Sequence, residues 1–159
     1  MSWFFPQESA HPLVVHFPIA LLFSAVALDL AAIALKQPGL HRIALWNLSL
    51  GTLGAGIAVL TGLRAEGVAK HSFEIHQVME LHKRLGIVTL ILGLMVVSWR
   101  LKQRDRLSPR ARIATIFLST IMAGTLAWGA HLGGRLVYEF GVGGSFGAAM
   151  DLPTLHEHH

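Results

Sequence analysis

No cysteine occurs in the 159 residues. That excludes disulfides, thiolate-held metals and haem attached through a Cys-x-x-Cys-His motif. Charge is scarce as well: Asp, Glu, Lys and Arg make up 14% of the chain, against about a quarter in a soluble domain. There is no Gly-rich phosphate loop, no Gly-x-Ser-x-Gly elbow and no His-Glu-x-x-His pair, so the common signatures of nucleotide, acyl-transfer and zinc-protease chemistry are missing. The run GVGGSFG at 141–147 reads as loop glycine because no strand precedes it. No period of 20 to 50 residues marks a repeat array. The opening MSWFFPQESAHP lacks the basic stretch of a cleaved signal, so the first apolar run is expected to persist as a helix, with Trp3, Phe4 and Phe5 as an interfacial anchor.

What the chain has is apolar length. Hydrophobic residues make up 53% and the mean hydropathy is +0.54. Crossing a bilayer takes roughly 20 apolar residues, and four stretches qualify. They predict helices over about 12–35, 43–63, 82–100 and 110–131, then a glycine-rich interfacial segment over 132–150 and a free tail over 151–159. The expected fold is one all-α membrane domain, a four-helix transmembrane bundle running antiparallel, up-down-up-down. Pro38 and Gly39 mark a tight first link, which makes the first two helices antiparallel neighbours. Ser108 and Pro109 read as an N-cap and first helical position. Pro18 is expected to bend the first helix near His16. Residues 64–81 form the one long external link, with a short amphipathic helix on the surface.

The formal charge is +4, but its placement argues against nucleic acid. Eight of the 13 basic residues, Lys36, Arg42, Arg100, Lys102, Arg104, Arg106, Arg110 and Arg112, fall in the first and third links. The excess of Lys and Arg in short cytoplasmic loops then places these links inside and both termini outside. Asp29, near the cytoplasmic end of the first helix, is expected to pair with Arg42 or Arg100; the alternative is a proton-handling carboxylate.

Six of the ten histidines belong to the external ends: His11, His16, His71, His76, His82 and His131. Histidine inside an apolar span is costly unless it is used. At three- and four-residue steps His82 shares its face with Gly86, Thr89 and Gly93, His131 with Ala127, Gly124 and Thr120, and His16 with Ala20, Phe23 and Ala27. Such small-residue stripes predict that the three rings meet in the bundle interior. The leading expectation is haem b held by His16, His82 and His131, with His76 in reserve and Arg64, Arg84 and Arg135 near the propionates. That would make the chain a cytochrome-like electron-transfer module working with a quinone or a redox protein. Copper or zinc on His11, His16, His71, His76, His82 and His131 is the alternative, as is a non-catalytic subunit, open to homo-oligomerisation, whose histidines bond across helices. The C-terminal run LHEHH carries no mechanism.

The opening His11, Pro12, His16, Phe17 and Pro18, the carboxylate Asp29, and the Gly133–Tyr138 run GGRLVY resemble the bacterial inner-membrane family known as domain of unknown function 2231. The likeness extends from about His11 to Gly143. It implies a four-helix inner-membrane protein and brings no activity with it. Relatives that stand beside redox modules favour the haem expectation, and relatives with histidine where this chain has Phe140 imply a group that this chain does without or replaces by another.

Overall fold

The computed structural model describes residues 7–66, 73–103 and 107–142. Four helices account for nearly all of them: α1 (Gln7–Ala34), α2 (Gly39–Glu66), α3 (Phe73–Lys102) and α4 (Pro109–Tyr138). At 1.5 Å per residue each is about 42–45 Å long. Each is also apolar enough to cross a membrane. No strand occurs among the described residues.

The helix ends follow local chemistry. α1 closes where Gln37 N–H donates to Ala32 O and Lys36 N–H to Ile33 O, with Lys36 at φ 53°. That is a left-handed cap, usually glycine, taken here by a lysine. Ser108 caps α4 by accepting from Ala111 N–H at 3.3 Å, with Pro109 following in the first turn. Pro18 leaves α1 helical throughout, and Gly54 lies opposite it.

Two segments differ from the sequence expectation. The surface helix expected within 64–81 is instead the start of α3, continuous from Phe73 into the span. The glycine-rich segment expected from residue 132 begins as helix, because α4 continues through Gly133 and Gly134 to Tyr138. Tertiary packing on Leu132 and Leu136, both buried, sustains helix where glycine alone would weaken it.

Around the bundle α1 packs on α2, α2 on α3, α3 on α4, and α4 on α1, whereas the diagonal pairs make no close backbone approach among the described residues. The core holds Leu22, Ala25, Leu48, Ala55, Val96 and Met122. Trp46, Leu53, Leu60, Ile113 and Phe117 are largely exposed, forming the outer face expected of helices surrounded by acyl chains. Because lipid is as apolar as leucine, close packing replaces the hydrophobic drive inside such a bundle. Glycines supply it. A Cβ at Gly51 would lie 2.8 Å from Leu22 Cδ2, and one at Gly93 would lie 2.7 Å from Thr52 Oγ1. Thr52 Oγ1 is itself tied to Leu48 O at 2.7 Å, so it cannot swing away without losing that bond. Gly93→Ala is therefore expected to destabilise the bundle by about 1–3 kcal/mol. Adding Thr52→Ala should recover much of the loss in a detergent unfolding titration, giving a clearly non-additive double-mutant cycle.

Candidate functional site

Polar groups in the bundle collect at two ends. At the first, α1 brings Asp29, the first turn of α2 brings His41, and the last turn of α3 brings Arg100. Their exposures are 3%, 7% and 2%. Arg100 Nη1 donates to Asp29 Oδ2 at 2.6 Å and Nη2 to the backbone O of His41 at 2.6 Å. His41 Nδ1–H donates to Asp29 Oδ1 at 2.7 Å, the carboxylate being able only to accept. One guanidinium thus spans the α1–α3 diagonal and ties α2 to both. Both oxygens of Asp29 are engaged, and Arg42, the other cation offered by the sequence, is exposed.

At the second end, His82 on α3 is half-buried and its Nδ1–H donates to Gly129 O on α4 at 2.8 Å. Gly133 leaves room for the ring: a Cβ there would lie 3.0 Å from His82 Cε1. Two turns inward, Thr89 and Thr125 share a hydrogen bond at 3.0 Å between the same two helices.

The other histidines lie elsewhere. His16, His76 and His131 are exposed, and the His131 ring sits 5.8 Å from that of Trp128, which is 57% exposed. Of the three small-residue stripes, only the one below His82 faces other helices, Gly86 toward Val59 and Gly93 toward Thr52. Ala20, Phe23 and Ala27 are exposed, as are Thr120, Gly124 and Ala127. α1 buries Pro18, Leu22, Ala25, Val26 and Asp29 instead, and α4 buries Ser119, Met122, Ala123, Gly129 and Leu132. In helices apolar on every side, small size alone does not pick the inward face. Arg84 pairs with Glu80 and Arg135 with Glu139, at 2.9 and 2.8 Å, and Arg64 is exposed. A shallow groove of about 210 Å³ on α3 touches His76, Glu80 and Arg84. His11 lies in α1 with its side chain outside the described residues, and His71 lies outside them altogether. Among the described residues no three His, Asp or Glu side chains gather as a metal site.

Of the two cations that the sequence offers Asp29, the structure takes Arg100; the participant that sequence reasoning misses is His41. Its signal is spacing: a histidine twelve residues beyond an intramembrane carboxylate, across a turn too short for anything but neighbouring helices.

Four apolar helices joined by buried polar ties define an integral-membrane bundle. A family model described as "Predicted membrane protein (DUF2231)" matches residues 7–145, and the chain belongs to that family. No curated protein and no solved structure matches it.

Breaking one partner of a buried ion pair leaves an uncompensated charge, which costs about 3–5 kcal/mol. Arg100→Met is expected to show that loss in a detergent unfolding titration. Asp29→Leu placed in the same chain should restore a large part of it, because no lone charge then remains inside.

Proposed function

We propose that this chain is a non-catalytic integral-membrane subunit, a rigid four-helix scaffold for a larger assembly. One observation carries the reading: both inward-facing histidines spend Nδ1–H on a neighbouring helix, His41 on Asp29 and His82 on Gly129. His16, His76 and His131 remain at the outer surface, where a partner or a second copy reaches them. The scaffold is antiparallel throughout. In support, Gly51 meets Leu22 and Gly54 meets Pro18, Gly86 meets Val59 and Gly93 meets Thr52, so residue numbers rise along one helix as they fall along its neighbour. The basic links face the cytoplasm of a bacterial inner membrane, and both termini lie outside.

A second reading is haem b electron transfer with a quinone or redox-protein partner. The observation in its favour is the tautomer of His82: an Nδ1–H held by a carbonyl leaves Nε2 as the basic nitrogen, the orientation common to metal-bound imidazoles. Its difficulty is the second ligand, since His16 and His131 face outward. Copper or zinc meets the same difficulty.

One substitution separates the readings. Asn at position 82 keeps an N–H for Gly129 O and removes the ligand. Under the scaffold reading, protein from haem-supplemented cells is colourless and lacks stoichiometric copper or zinc. His82→Asn then stays within about 0.5 kcal/mol of the parent while His82→Leu loses about 0.5–2 kcal/mol in detergent unfolding titrations. A Soret band in the parent that disappears in His82→Asn would replace this reading with the haem one.

A further inference from the structure

The two ends of the bundle differ in how their charges are used. At the end opposite the ion-paired triad, Lys83 and Arg84 are held by Glu80, and Arg135 is held by Glu139. At the triad's own end, the described residues include six cations and one carboxylate, Asp29. That carboxylate is buried and fully engaged by Arg100 and His41. Lys36 in the first link, Arg42 on α2, Lys102 on α3 and Arg110 on α4 are all exposed. The Arg100 bonds bring the last turn of α3 to the first turn of α2, and the short link to Ser108 brings the start of α4 alongside.

Tryptophan places these cations in depth. Trp46 and Trp99 are 62% and 37% exposed, and indole favours the headgroup boundary of a bilayer. Arg42 lies four residues before Trp46 on α2, and Lys102 three residues after Trp99 on α3, so each cation stands one turn beyond an indole, on the same side of its helix. That is the level of lipid phosphates. A positive surface at phosphate depth, with no free carboxylate among the described residues at this end, calls for a negative partner, and an anionic lipid supplies it laterally without leaving the membrane.

We propose that this end of the bundle is a docking surface for anionic phospholipid headgroups, with Arg42 and Trp46 on one side, Trp99 and Lys102 on the next, and Lys36 and Arg110 completing the ring of charge. The contact is electrostatic, so salt weakens it.

The test uses the full chain reconstituted in phosphatidylcholine bilayers, with spin-labelled phosphatidylglycerol or spin-labelled phosphatidylcholine as the probe. Phosphatidylglycerol is expected to be preferred by a factor on the order of five, and the preference should shrink as salt is raised. The combined variant K36Q/R42Q/K102Q/R110Q should bring the two probes level. Arg84→Gln at the far end should leave the preference intact. Equal association of both probes with the parent chain overturns the proposal, as does a preference that survives the fourfold variant. Capture of added RNA without any lipid preference overturns it too, by showing that the surface serves a soluble polyanion. The salt series on the parent chain decides the matter even should the variant fold poorly.

Discussion

A guanidinium inside a lipid-length helix has few tolerable environments, and Arg100 shows what satisfying one requires. With 2% of its surface exposed, it needs a carboxylate and a carbonyl at fixed positions on two other helices. α1 supplies the first and the opening turn of α2 the second. α1 and α3 make no close backbone approach, so the arginine side chain itself spans the diagonal. Apolar contacts in a bilayer carry little directional information, because sliding one leucine past another alters little. The register of three helices at this end therefore rests on a handful of polar atoms.

Given that register, the glycines fall where they are needed. Gly93 admits Thr52, Gly51 admits Leu22, and Gly133 admits the His82 ring. Each is a place where one added carbon would push two helices apart. His82 performs at the other end of α3 what Arg100 performs at the near end, through a bond to the backbone carbonyl of Gly129. A bundle tied at both ends and packed through glycine in between is suited to hold a shape rather than to open and close. This favours a scaffold whose chemistry, if any, is completed at its outer surface.

The same ties explain the charge distribution over the outside. Asp29 is withdrawn to satisfy Arg100 and His41, so among the described residues no second carboxylate stands beside the exposed Lys36, Arg42, Lys102 and Arg110. At the far end glutamates lie one turn from the cations they serve, and the surface is closer to balance. An internal requirement of the fold thus leaves one end electrically open toward the membrane surface.

Much was legible in the residues alone. Four apolar stretches with few charges can only be membrane helices, since backbone polar groups in lipid must bond within their own segment. The Ser108 cap, the short first link and a pairing of Asp29 with either Arg42 or Arg100 followed from local chemistry and charge. What composition left undecided was rotation about each helix axis. In spans apolar on all sides the contrast between faces is slight, so the small-residue stripes beside His16 and His131 looked as inward as the one beside His82, and only packing distinguished them. Length and class belong to the sequence because they depend on summed hydrophobicity. Which histidine turns inward, and which cation is buried, belongs to the tertiary structure, because it depends on atoms far apart in the chain meeting at hydrogen-bond distance.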